Sequence, residues 1–219
     1  MSTRTLVSID LDWLNSAKHP IRQLRELLHH IPRDTPAIIT IEHHEFLPQL
    51  HKWVKSGKVK TPFNILNIDE HHDYYRNCPP FHPEGTDNNC GNWGYRIPTK
   101  WYDRYTWVNT VDSDLWHDWT YAQEWLDNHG IKHSVRGNHR LSRLSTEFVA
   151  AIFCVSPDFL GEDMLDLAPK AVGIIACHFK IARAPEIISD DVGNYDGLLR
   201  RSVSGWRMAA RPKSAKLAC

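Results

Sequence analysis

The stretch Phe63-Asn64-Ile65-Leu66-Asn67-Ile68-Asp69-Glu70-His71-His72-Asp73-Tyr74 decides how the rest of the chain is read. Residues 63–68 have the apolar, β-branched character of a buried strand. The residues that follow carry an Asp-x-His-x-Asp pattern. In an extended backbone alternate side chains share one face, about 6–7 Å apart. Asp69, His71 and Asp73 would then point together, and two metal ions about 3.5–4 Å apart fit between such side chains. Carboxylates with an imidazole make a hard-to-intermediate donor set, suited to Mn, Fe or Zn rather than Cu(I). The competing reading is an acidic loop after a buried strand, with solvated histidines.

Two further strands weigh on that choice. Leu6-Val7-Ser8-Ile9-Asp10-Leu11-Asp12-Trp13 is apolar and ends in Asp10 and Asp12. Two carboxylates that close repel each other unless a cation or a proton neutralises them. Ala37-Ile38-Ile39-Thr40-Ile41 runs straight into Glu42-His43-His44-Glu45. Three apolar strands thus end in metal-competent side chains, and in a parallel α/β sheet ligand sites gather at the carboxyl ends of strands.

Working outward, strand and helix signals alternate. Ala17, Ile21, Leu24, Leu28 and Ile31 recur at helical spacing until Pro32. A helix is expected over about 45–54, ending near Gly57. Later strands are expected at 105–109, 131–135 and 148–155. Helices are expected at 119–129, ended by Gly130, and at about 161–167, stopped by Pro169. Residues 76–100, rich in Pro and Gly, read as a long irregular loop, a kind of segment that is often functional. The expected fold class is α/β: a three-layer α/β/α arrangement around a mostly parallel sheet. One domain over residues 1–199 is expected, with a basic, loosely attached tail over 200–219.

Composition is permissive. The 219 residues carry 26 Lys+Arg against 26 Asp+Glu, so no basic excess speaks for nucleic acid. No apolar run is long enough to cross a bilayer, and the first residues lack the apolar core of a signal peptide. The cysteines, five in all, include no Cys-x-x-Cys pair. That odd count suggests reduced thiols in a cytoplasmic protein.

The strand ends resemble those of the ureohydrolase superfamily, which includes arginases and agmatinases, and in particular a small divergent branch with peptide arginases that modify ribosomally made peptides. The resemblance rests on Ile9-Asp10-Leu11-Asp12-Trp13, Glu42-His43-His44-Glu45-Phe46-Leu47-Pro48, Asp69-Glu70-His71-His72-Asp73, Gly91-Asn92-Trp93 and Ser156-Pro157-Asp158. It implies two Mn2+ ions per chain on a parallel sheet. One would take His43, Asp69, Asp73 and Asp10, and the other His71, Asp69, Asp10 and Asp12, so that Asp69 and Asp10 bridge. His44 competes with its neighbour His43 for the ligand position. His44 and His72 would otherwise be supporting or merely exposed.

The departures from the family pattern matter as well. The Asp-x-Asp strand, late in ordinary arginases, comes first here, as in a circular permutation. Where free-arginine enzymes carry Asn-Leu-His-Gly, this chain has Asn92-Trp93-Gly94-Tyr95. The histidine that helps move protons is therefore replaced by Gly94, and no loop that grips a free amino acid is recognisable. The resemblance then implies hydrolysis of arginine within a precursor peptide to ornithine and urea, with a metal-bridging hydroxide as nucleophile. Asp158 would position the guanidinium, or alternatively cap the helix that follows it. Glu42 would orient His43, and Asn92 and Trp93 would line the substrate site. Trp13 and Tyr74 also flank the motifs and read equally well as core. The alternatives are a hydrolase of a free guanidino compound, a deacetylase-type amidohydrolase, and a catalytically silent metal- or peptide-binding protein.

Overall fold

Apolar runs rich in Val, Ile and aromatics, punctuated by Pro, Gly and Asp, fold into six strands: β1 (Arg4–Asp10), β2 (Ala37–Thr40), β3 (Phe63–Ile68), β4 (Tyr102–Asn109), β5 (Lys132–Gly137) and β6 (Glu147–Cys154). The computed structural model of the chain describes residues 4–75, 91–109, 116–137 and 147–181, except for the side chains of 116–118 and 158. The expected tail over 200–219 lies outside the described residues. All strand pairs are parallel, in the order β2-β6-β1-β3-β4-β5.

Parallel neighbours need crossovers, and the crossovers supply helices on both faces. Helices α1 (Pro20–His29) and α4 (Glu162–Phe179) cover one face. Their Leu24, Leu28, Ala171 and Ile175 join Val7, Ile9, Ile68 and Phe153 in one apolar layer. Helices α2 (Leu47–Lys55) and α3 (Trp116–Asn128) cover the other. There Leu50, Trp53, Trp119 and Leu126 join Leu6, Ile65, Trp107 and Ile152. Leu6 and Val7 fall in different layers, as do Ile65 and Leu66, which is the period-two alternation of a strand buried on both faces. Each such side chain taken out of water contributes roughly 1.5–3 kcal/mol, so the two layers dominate the stability.

Helix α4 does not stop at Pro169 but runs through it to Phe179. A proline inside a helix removes one backbone bond and costs about 3 kcal/mol. Here Met164 and Ala168 before it, and Ala171, Val172, Ile175 and Ala176 after it, are all buried along one stripe. That burial outweighs the local penalty. No helix among the described residues is long and apolar enough to cross a membrane. Cys154 is a free buried thiol, whereas Cys177 is disulfide-bonded. The expectation of reduced thiols therefore fails at Cys177, and the cysteine count no longer speaks for a reducing compartment.

Register explains where chemistry can gather. Cys154 is level with Asp10 on one side and Thr40 on the other, and Ile9 is level with Ile68. The carboxyl ends of β2, β6, β1 and β3 therefore open at the same height. The chain also changes direction there: from β1 it passes outward to β2, then returns across to β3. Such a switch point is where open α/β sheets bind ligands.

Candidate metal centre

Beyond Ile68 the backbone leaves the strand, and the extended geometry expected for Asp69–Asp73 does not persist. Asp73 sits in the left-handed region at φ 57°. A chain of donors holds the turn by its carbonyls: Trp107 Nε1 donates to Asp69 O (3.0 Å), Asn67 Nδ2 to His71 O (3.2 Å) and Tyr105 OH to His72 O (2.7 Å). Gly94 N–H donates to Asp73 O (3.1 Å), and Tyr95 OH to Tyr74 O (2.8 Å). Gly94 is required by space, because a Cβ there would run into the Tyr74 ring. Strain at Asp73 persists only because the surroundings over-determine the turn.

The turn accomplishes what a strand could not, bringing Asp69 and Asp73 to the same atom. His43 Nδ1 lies 3.3 Å from Asp10 Oδ2, 3.5 Å from Asp69 Oδ2 and 3.4 Å from Asp73 Oδ2. Donors about 2.1 Å from a shared cation stand about 3.0–3.4 Å apart for octahedral or tetrahedral angles, so this spacing fits a ligand shell. A second cluster lies beside it. His71 Nδ1 is 3.0 Å from Asp12 Oδ2 and 3.5 Å from Asp69 Oδ1. Asp69 thus turns one oxygen to each histidine. Asp10 gives Oδ2 to the His43 side and to the Ser156 hydroxyl, while its Oδ1 accepts from Asp12 N–H at 3.1 Å. Of the two carboxylates expected to bridge, Asp69 is the one whose oxygens face different histidines. These buried Asp/His clusters could hold a metal ion.

Electrostatics make the same point. Asp10, Asp12, Asp69 and Asp73 are all buried, and buried like charges are costly unless a cation compensates them. Burial, then the charge of Asp69, pushes Asp12 up to about 7. Burial, then Asp12 and Asp69, drives Asp10 well up. Burial and Asp69 do the same to Asp73, against the neighbouring Trp93 indole N–H. Burial also opposes ionisation of Asp69, but the His71 hydrogen bond and the charges of His43 and His71 outweigh it, and Asp69 falls to about 2. His71 resists burial through Asp12 and Asp69 and rises to about 11. His43 is lowered by burial to about 4, so at neutral pH its imidazole is uncharged and one ring nitrogen offers a lone pair.

The expected ligands Asp10, Asp12, His43, Asp69, His71 and Asp73 thus come together, and His43, not His44, faces the carboxylates. The Glu42 carboxylate lies 3.3 Å from His44 Nδ1. The group that holds His43 is Ser8, whose Oγ is 2.9 Å from Nε2. For Nδ1 to ligate a cation among the carboxylates, Nε2 must carry the proton and donate to Ser8, so the Ser8 hydroxyl is placed to hold the ligating tautomer. Trp93 is buried with its ring 5.4 Å from that of His43, and Asn92 is buried just before it. Trp13 and Tyr74 are core. His72, taken as supporting or exposed, is fully buried against Tyr75, Trp107 and Trp119. Its Nδ1 accepts from Tyr74 N–H at 3.1 Å. The Asp158 side chain lies outside the described residues.

Ser8, Asn67 and Ser156 were not anticipated. Asn67 Nδ2 is 3.0 Å from Asp73 Oδ2 and 3.4 Å from Asp69 Oδ2, tying the two carboxylates together. The available signal was a lone polar residue within an apolar strand, in Val7-Ser8-Ile9 and Leu66-Asn67-Ile68, because burying a polar group is unfavourable unless something bonds it. Ser8→Ala is expected to weaken metal binding about 10- to 100-fold, the usual effect of removing a ligand's hydrogen-bond partner. A metal titration of the two proteins checks this; equal affinities would remove Ser8 from the site. No protein-family model, curated protein or solved structure matches the chain.

Proposed function

We propose that this chain is a binuclear manganese hydrolase of the arginase-like kind, which converts arginine residues of a peptide into ornithine and releases urea. The observation that supports this best is Asp69, whose two oxygens face the Nδ1 atoms of His43 and His71 across adjoining carboxylate clusters. His43, Asp10, Asp69 and Asp73 would hold one ion, and His71, Asp12 and Asp69 the other. Paired divalent ions sharing carboxylates lower the pKa of water, so that hydroxide is available near neutral pH.

The rest of the chemistry belongs to the chain. Ser8 and Ser156 orient His43 and Asp10, and Asn67 sets the spacing of Asp69 and Asp73. Asp158, in the turn Pro157–Phe159 that follows β6, is the carboxylate proposed to position the planar guanidinium, which matches a carboxylate in shape and charge. The peptide reading is supported by Gly94. The Tyr74 ring fills the space that a side chain there would need, so no histidine of the free-arginine kind fits that position.

The experiment is a comparison of substrates with the Mn(II)-loaded protein: free arginine, agmatine, an acetyl-lysine peptide and an arginine-containing peptide. Urea together with a peptide lighter by about 42 Da, the mass balance of guanidinium hydrolysis, is the expected outcome. Urea from agmatine or free arginine alone would replace the substrate. Acetate would replace the reaction, and metal binding with no turnover of any of the four would reject hydrolysis of these substrates.

A further inference from the structure

The ligands differ in how they meet solvent. His71 is 25 % exposed, while Asp10, Asp12, His43, Asp69 and Asp73 are buried. Among the described ligands, the approach from solvent therefore passes over His71. The Phe159 ring stands against His71, with centroids 4.8 Å apart, and is itself 47 % exposed. Among the described residues the exposed large apolar side chains are Phe159 and Tyr121, and Phe159 is the one at the centre.

Its position is fixed by the backbone. Phe159 N–H donates to Ser156 O (2.9 Å), Asn15 Nδ2 donates to Phe159 O (2.9 Å), and Gly161 N–H donates to Asn15 Oδ1 (2.9 Å). Asn15 directly follows the turn Leu11–Leu14 that bears Asp12, so the ring is tied to the element that supplies a ligand. The neighbouring Glu70 donates its N–H to Asp12 Oδ1 (3.4 Å). Two divalent ions would balance the four carboxylates of Asp10, Asp12, Asp69 and Asp73, and the half-buried Glu70 adds a carboxylate hydrogen-bonded to Asn15, the residue that holds the Phe159 backbone. A partly exposed aromatic ring near carboxylates favours a planar cation.

We propose that Phe159 contacts the substrate, its free face taking the guanidinium-bearing side chain as it passes over His71. This rests on the proposed metal centre and names the residue that selects its ligand class. The test is equilibrium dialysis of acetyl-arginine-amide, in the cold, against the Mn(II)-loaded wild type, Phe159→Ala, Phe159→Leu and Phe159→Trp. Wild type and Phe159→Trp should bind alike, with Phe159→Ala about tenfold weaker, the scale of a partly desolvated cation–π contact. Phe159→Leu should fall between them, because it keeps the apolar area but not the ring. Metal content should be unchanged and thermal midpoints lower by at most a few degrees, since nearly half of the ring is exposed. Equal binding by wild type and Phe159→Ala, or no binding by wild type, overturns the assignment. Binding that follows the predicted order without urea release would uphold the contact and reject the hydrolysis.

Discussion

In the proposed binuclear centre, Asp69→Ala should remove both ions and abolish the proposed turnover. Removing an ordinary supporting group costs about 10- to 100-fold in metal affinity. Asp69 does more, since its Oδ2 faces His43 and its Oδ1 faces His71, so one substitution opens both shells. The loss can be read without any substrate. A ligand that binds only the folded protein stabilises it by about 2.7 kcal/mol at one hundred times its dissociation constant. For a chain of this size that raises the thermal midpoint by about 5–10 °C. Wild type should show such a rise on adding Mn(II), and Asp69→Ala none. Asp127→Ala, which alters an exposed aspartate paired with His133, should behave as wild type. A variant lacking Asp69 that still bound two ions would show that the carboxylate does not bridge.

How far this could be read beforehand varied from one residue to the next. The parallel sheet was legible because apolar runs and helical spacing are local signals, whereas register, set by pairing between distant segments and shifted at Thr5/Leu6 and Phe63/Asn64, was not. The Asp/His cluster was legible because β1, β2 and β3 run into carboxylates, with imidazoles after β2 and β3. The geometry that assembles it was not. Asp69 and Asp73 meet at His43 through a left-handed Asp73 and a series of carbonyl bonds from Trp107, Asn67, Tyr105 and Gly94. Those partners come from elements distant in sequence, and no period within five residues encodes them. Pro169 failed for the related reason that tertiary burial overrode local propensity. Phe159 was missed because an aromatic beside apolar residues reads as core; only its exposure against His71 distinguishes it.

The stabilising effect of Mn(II) should grow steeply with pH, and the sign follows group by group. Asp12 is raised from 3.8 to about 7, so its contribution to metal-free stability is full below 3.8 and is lost as pH rises through about 7. His71 is raised from 6.5 to about 11, so its contribution is full below 6.5 and is lost as pH climbs towards 11. Two groups run the other way. His43, lowered to about 4, loses its contribution as pH falls from 6.5 through about 4. Asp69, lowered to about 2, loses its own only below 3.8. Between pH 6 and 8 the metal-free protein should therefore weaken as Asp12 and His71 are asked to give up protons. The same two protons must leave before Asp12 and His71 can ligate a cation. Apparent affinity on the His71 side should then rise about 100-fold per pH unit below 7 and about tenfold per unit above it, one factor of ten for each proton displaced. Thermal scans in Mn(II) and in chelator at pH 6, 7 and 8 should diverge progressively, with proton release seen calorimetrically on metal addition. A separation between the two curves that stays constant over that range would mean that cations bind the protein somewhere other than these carboxylates.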